Sequence, residues 1–361
     1  MTAPVRNAFT VDVEDWYQVS GFEAVVRRED WPRYASRVVR NTGLVLDLLA
    51  AKRVRATFFC LGWVAERHPA LLREIAARGH EVASHGFDHR LATTFTPETF
   101  RADLRRAAAA ITAACGVVPK GYRAPSFSVA RENLWVFDVL RDEGYTFSSS
   151  VFPVRHDRYG IPDFPRHPVV LTGADGRSIW EFPMTTRRVL GRNLPVAGGG
   201  WMRLLPGPVM RRALRHENQA GVPTVVYLHP WELDPDQPRL AAAPWRARFR
   251  HTLNLERMRD RLAALLDAIP FGTMGEVLAG LDPGPRRTTR PRPPRRGYPD
   301  PMRPVEPVPV VPAAARRSAA SPRWRWGSSS RAAAEGAAAA EEAADRRPPR
   351  RSSCRASRRR T

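Results

Sequence analysis

Four short clusters of polar side chains stand out, far apart along the chain. The first, Asp12-Val13-Glu14-Asp15, puts three carboxylates into four residues. Their mutual repulsion is relieved when a cation sits between them. The second, Ser84-His85-Gly86-Phe87-Asp88-His89, places two imidazoles four residues apart. That spacing brings both to one side of a helical turn and within reach of one ion. The third, Gly121-Tyr122-Arg123-Ala124-Pro125-Ser126-Phe127, sets an Arg beside a Pro, where a planar guanidinium can grip a carboxylate through two parallel bonds. The fourth, Tyr227-Leu228-His229-Pro230-Trp231-Glu232, puts a His where an apolar run stops. Two His and one carboxylate make a facial site with positions open for water and substrate, suited to zinc or another divalent ion. Each cluster alone has a plain alternative: a solvated acidic turn, surface histidines, a loop Arg in an Arg-rich chain, a core His. Their order and placement together point to one site.

The elements that must position them alternate between short apolar strands and amphipathic helices. Residues 8–13, 55–61, 80–84 and 222–228 read as strands. Residues 64–78 read as a helix closed by Gly79, and 97–115 as one with Thr96 as N-cap, Pro97 first and Gly116 past its end. Residues 129–143, closed by Gly144, and 255–269, with Asn254 as N-cap, read as two more. Thr273-x-x-Glu276 is a capping box opening a last short helix. Such alternation predicts an α/β fold with a mostly parallel sheet, and ligand sites of such folds gather at the C-terminal ends of strands. The acid, His-pair and late-His clusters fall at predicted strand ends, and no internal repeat is evident.

Charge is distributed unevenly. Residues 282–361 hold 20 Arg, no Lys and 7 acids, so this stretch carries +13 of the net +22. The only lysines are Lys52 and Lys120, which suggests compositional bias as much as selection for a basic surface. Nucleic-acid binding calls for basic residues interleaved with aromatics on a folded face, and the tail offers little beyond Trp324 and Trp326 in a Pro/Arg/Ala/Ser background. Proline-rich stretches at 291–296 and 304–312 predict a disordered, Arg/Pro/Ala-rich tail. Cys60, Cys115 and Cys354 are scattered, which argues against a disulfide framework and a cysteine-zinc site. With no run of 18 apolar residues and no apolar segment in the first ten, no transmembrane helix and no secretory signal are expected. A cytoplasmic location is the default, with a membrane-peripheral position left open.

Read together as TVDVED, SHGFDH, RAPSF and YLHP, the clusters resemble the motifs of the polysaccharide deacetylases with a NodB-homology domain, carbohydrate esterase family 4. The resemblance runs from about residue 9 to 278. It implies a distorted (β/α) barrel spanning residues 1–281, with a subfamily-specific region from about 150. It also implies a hydrolase that removes acetyl groups from an acetylated polysaccharide. The segments HPWELDPDQPR, Gly198-Gly199-Gly200-Trp201 and Phe249-Arg250-His251 look like a subfamily tied to exopolysaccharide loci of the exosortase (PEP-CTERM) type. By motif, His85 and His89 would bind a divalent metal, most simply zinc, and Asp12 would be the general base. The family's usual metal-binding Asp is replaced by Val13, so the metal acid becomes Glu14 or Asp15; Glu14 is preferred because alternation along a strand puts it on the side of Asp12. Arg123 would hold Asp12, the backbone N–H of Ser126 would stabilise an oxyanion, and His229 would protonate the leaving group. Trp16, Tyr17 and Trp231 are candidate sugar platforms, and Asp157 and Trp180 weak candidates for the family's Asp and Trp near the cleft. Two other readings stand beside this one: a hydrolase of the same fold acting on a small amide or cyclic imide, as an allantoinase does, and an anionic-polymer binder using the tail.

Overall fold

The computed structural model describes residues 4–155 and 160–281 and the backbone of Arg287–Thr288. Its strands are β1 (Asn7–Val13), β2 (Thr57–Cys60), β3 (Glu81–Ser84), β4 (Gly121–Tyr122), β5 (Phe147–Ser148), β6 (Val169–Thr172), β7 (Ser178–Glu181), β8 (Thr186–Val189), β9 (Arg192–Pro195), β10 (Val225–Leu228), β11 (Phe271–Gly272) and β12 (Arg287–Thr288). Its helices are α1 (Val38–Ala51), α2 (Gly62–Arg67), α3 (Pro69–Ala77), α4 (Pro97–Cys115), α5 (Val136–Asp142), α6 (Gly199–Leu204), α7 (Gly207–Gln219), α8 (Trp245–Thr252), α9 (Met258–Ala268) and α10 (Met274–Ala279).

Every residue of β1 and β2 is buried. Parallel strands covered on both faces require such continuous apolar runs. The main sheet runs in the order β10-β1-β2-β3-β4-β5-β7-β6-β12, with β11 beside the start of β1. Its pairs are parallel except β6–β7. Among the described residues β10 and β12 do not pair, so the expected barrel is a mixed α/β curled sheet that stays open. Strands β8 and β9 form a separate antiparallel pair. One large core joins Phe9, Val11 and Phe58 to Leu46 of α1, Leu72 of α3 and Leu262 of α9. A second packs Phe100 and Leu104 of α4 and Leu140 of α5 against Tyr122.

Local chemistry explains where helices differ from expectation. The predicted helix 64–78 is two helices, because His68 precedes Pro69 and takes φ −130°, ψ 55°; a residue before Pro is pushed out of the α region. Of 129–143, only α5 is α-helical, after a 3-10 turn at Arg131–Asn133 where the Ala130 N–H donates to the Asn133 side chain. Asn254 stands at the expected N-cap position, ahead of a 3-10 turn at Leu255–Arg257, but at φ 51° its side chain does not cap and its amide donates to the Arg203 carbonyl. The Thr96 cap with Gly116 past the end of α4, and the Thr273–Glu276 capping box of α10, are as expected. The strand β12 pairs with β6 beyond the expected boundary at 281. The rest of the predicted tail, with Cys354, lies outside the described residues. Among those described, Cys60 and Cys115 are free and no helix is long and apolar enough to cross a membrane.

Candidate active site

All four clusters arrive at C-terminal strand ends: the acids after β1, the His pair after β3, Arg123 after β4 and His229 after β10. Parallel register sets these ends side by side, with Val11 opposite Leu228, Asp12 opposite Phe59 and Ser84 opposite Tyr122. Strand β1 stops at Val13, and the Glu14 N–H turns back onto the Asp12 carbonyl at 3.0 Å. That turn, rather than strand alternation, aims the Glu14 carboxylate inward. Its Oε2 lies 2.9 Å from His89 Nε2 and its Oε1 3.0 Å from His229 Nε2.

Glu14, His85 and His89 each offer a ligand atom, all within 4.8 Å of one another, and all three residues are buried. The His pair meets through a loop, not the helical turn its spacing suggested. Gly86 (φ 74°) and His89 (φ 57°) are both left-handed, and a Cβ at Gly86 would come within 3.1 Å of the Asp103 carboxylate. His85 Nδ1 is 2.8 Å from the Arg123 carbonyl, which orients the ring and leaves Nε2 free. His89 Nδ1 is buried without a hydrogen bond, and Glu14 Oε2 meets only the His89 ring, at 2.9 Å. Unsatisfied buried groups are costly, and a divalent cation suits one carboxylate and two imidazoles. The residues present therefore fit such an ion. Burial pushes His85 down to about 3, so it is neutral and able to ligate. Burial acts to raise the Glu14 carboxyl, but His89 and His229 outweigh it and hold it below its ordinary value.

Asp15 does not join this group. Its carboxylate accepts the backbone N–H groups of Trp16 (3.0 Å), Arg37 (3.0 Å) and Val38 (3.3 Å), tying the turn to the start of α1. Burial raises its pKa. Of the two acids, Glu14 is the one grouped with His85 and His89.

Asp12 is held from behind. Arg123, fully buried, donates through Nη1 to Asp12 Oδ1 at 2.6 Å and to Thr10 Oγ1 at 2.8 Å. It grips Asp12 with one nitrogen rather than as a two-bond fork. Its other nitrogens reach the Ser149 carbonyl and hydroxyl, both at 3.1 Å. Glu181 supports that segment by accepting the N–H groups of Ser150 and Val151, and burial pushes its own carboxyl up to about 7.

His229 faces the same centre from the opposite side, with its side chain 20% exposed. Its Nδ1 lies 2.9 Å from Glu232 Oε1, and Arg203 Nε donates to Glu232 Oε2 at 2.7 Å. Burial alone would depress His229, but Glu14, Glu232 and Asp12 outweigh it and raise its pKa to about 9. Burial acts to raise Glu232, and Arg203 and His229 overcome it, to about 2.

Sequence reading missed Glu232 and Arg203 as partners of His229. The first stood in the quoted cluster and at i+3 from the His; the second had no signal in so Arg-rich a chain. Ser126 lies in the left-handed region (φ 53°), its Oγ is 2.5 Å from Ser20 Oγ, and among the described residues its N–H donates to nothing. The aromatic platforms are corrected. Trp16 and Tyr17 are core residues, with Tyr17 stacked on Tyr34 at 5.2 Å and in contact with Trp16 and Trp31. Trp231 is buried between His229 (5.1 Å) and His251 (4.1 Å), so both ring faces are taken. Trp180 is a half-buried packing residue, and Asp157 lies outside the described residues.

Comparison with known proteins matches residues 30–147 to a polysaccharide deacetylase family and 149–279 to a domain of unknown function, DUF3473. His85, His89 and Arg123 fall in the first segment and Arg203, His229 and Glu232 in the second; Asp12 and Glu14 precede both. A chitooligosaccharide deacetylase of Rhizobium leguminosarum bv. trifolii is 38% identical over 99 residues, covering 27% of this chain and 43% of that protein. A peptidoglycan-N-acetylglucosamine deacetylase of Bacillus cereus is 35% identical over 63 residues, covering 18% and 30%. The chain thus spans less than half the length of these curated relatives. A Mycobacterium smegmatis structure assigned to the polysaccharide deacetylases superposes over 81% of this chain and 98% of its own, with 22% identity and a TM-score of 0.53, which speaks for the fold. Residues 30–147 thus carry a polysaccharide deacetylase domain, and the fold is that of a structure assigned to the same enzymes.

Proposed function

We propose that the protein hydrolyses the N-acetyl groups, or on some substrates the O-acetyl groups, of an acetylated polysaccharide. The observation that carries this reading is the buried triad Glu14, His85 and His89, flanked by Asp12 on one side and His229 on the other. Glu14, His85 and His89 would hold the divalent cation, zinc by the chemistry of the donors. When bound, it supplies Lewis-acid polarisation and lowers the pKa of water. Asp12 keeps one oxygen clear of Arg123, and that oxygen accepts the proton of the attacking water. The unpaired Ser126 N–H donates to the acetyl oxygen as negative charge develops there. His229, oriented by Glu232, gives its Nε2 proton to the departing amine. The subfamily segments around Gly198 and Phe249 support a place in exopolysaccharide formation, and a cytoplasmic, membrane-peripheral location is the setting we infer.

The test is acetate release from N-acetylchitooligosaccharides by the purified full chain, with metal analysis on the same sample. Asp12→Asn should cost about 10²–10⁴-fold in turnover with the fold intact, and His85→Ala should also lose the bound metal. Unchanged acetate release in His85→Ala, or turnover of a cyclic imide with none of any glycan, sinks the proposal.

A further inference from the structure

Helix α8 carries an exposed basic and aromatic face beside the catalytic cleft. A cleft of about 270 Å³ opens against the site, lined by Ser126, Trp231 and His251 among others. A second, of about 260 Å³, runs along α8 past Arg239, Trp245, Arg248 and Phe249. Phe22 and His251, whose rings pack at 4.7 Å, line both, so the two clefts share a wall and lie side by side. Trp245 and Phe249 are 66% and 56% exposed. Four residues apart, they share one helix face at about 6 Å along its axis.

The charge around them is of one sign. No carboxylate lines either cleft, while Arg239, Arg248 and Arg250 do; Arg203 lines the first as well, its charge met by Glu232. Among the described residues Arg239, Arg246, Arg248 and Arg250 have no ion-pair partner. Composition alone does not dictate this, since Arg101 and Arg105 on α4 are both paired with Glu143. Aromatic faces suit the C–H faces of sugar rings, guanidinium groups pair with carboxylates, and a cleft lined by cations concentrates a polyanion.

We propose that this double cleft binds a carboxylate-bearing glycan, its rings resting on Trp245 and Phe249 and its uronate groups paired with Arg239 and Arg248. The inference rests on the deacetylase reading for the placement of the acetyl group at the catalytic centre. It names acidic polysaccharides as the substrate class of that site.

The test uses N-acetylheparosan, which alternates N-acetylglucosamine with glucuronate, immobilised in a native gel. Neutral N-acetylchitotriose is the activity probe. The full-length wild type should be retarded by the heparosan gel. Arg239→Glu/Arg248→Glu should weaken that retention at least tenfold without changing acetate release from the trisaccharide. Trp245→Ala/Phe249→Ala should weaken heparosan retention but leave retention in a polyglutamate gel unchanged. All three proteins keep the same Arg-rich tail, so differences report the cleft. Equal retention of wild type and both variants, or equal retention of wild type by heparosan and polyglutamate, overturns the proposal. Retention that follows the cleft variants without acetate release from any glycan would sink the deacetylase reading and leave the binding site standing.

Discussion

Glu14 and Asp15 are adjacent, alike in charge and both buried, yet their surroundings separate them. Glu14 faces two imidazoles, one on each carboxylate oxygen, while Asp15 is consumed by three backbone amides. Glu14→Ala should therefore abolish stoichiometric metal without unfolding the chain. Asp15→Ala should keep the metal and lose about 1–3 kcal/mol, the cost of stranding buried N–H groups. Metal analysis beside urea denaturation decides, and the reverse pattern would move the ligand to Asp15. His229 offers a pH prediction. Its carboxylate neighbours hold its pKa up at about 9, so the proton it donates is present below that pH and lost above it. Removing the charge of Glu232 lowers that pKa. In Glu232→Gln the alkaline limb of the pH–rate profile should move down by about one unit or more. A cation on Glu14 weakens that carboxylate's pull, so the wild-type limb should already lie below 9. An alkaline limb that stays put in the variant removes His229 as the acid. Residue types carried much of this in the sequence: His85, His89, Arg123 and His229 stood in recognisable order. The Glu14/Asp15 choice did not, because it depends on a turn after Val13 that residue spacing cannot specify.

At the scale of elements, strand identity and order were the legible part. Mostly apolar runs marked the buried strands β1, β2 and β10, whereas the two-residue β4 that carries Arg123 had no such signal. Helix limits were less legible wherever a neighbour outside the window decided them, as Arg203 does for Asn254 by offering its carbonyl. The Gly198-Gly199-Gly200 run is the clearest example of sequence meaning that only packing reveals. It opens α6 where the backbone passes directly over the His229 relay, and a Cβ on Gly199 would collide with the Glu232 carboxylate. Gly198, at φ 141°, would press a Cβ into the Tyr227 ring. Gly199→Ala should thus displace Glu232, cut acetate release sharply and leave bound metal unchanged, since no ligand sits on α6. If its turnover and pH profile match wild type, the relay is not held by this contact.

At the scale of the molecule, the centre is assembled from three stretches: the acid turn before residue 30, the deacetylase segment and the segment that follows it. The cation would cross-link the first two, because Glu14 follows β1 while His85 and His89 follow β3. Among the described residues the candidate metal group has no member on the β10 side; in the proposed mechanism Arg203, Glu232 and His229 would act on the proton instead. Metal binding and proton delivery are therefore built on different halves and should fail separately. Binding to the native state alone stabilises by mass action, so stripping the metal with a chelator should lower the melting temperature of wild type by several degrees. Glu232→Gln should keep that chelator response, and Glu14→Ala should lose it while melting near the metal-free wild type. A chain ended at Arg292, which keeps β12 on β6, should show the same chelator-sensitive melting and the same acetate release from a neutral glycan. If that shortened chain binds metal but no longer turns over a neutral glycan, residues beyond 292 belong to the catalytic unit, and the tail must be counted among the parts that make the site.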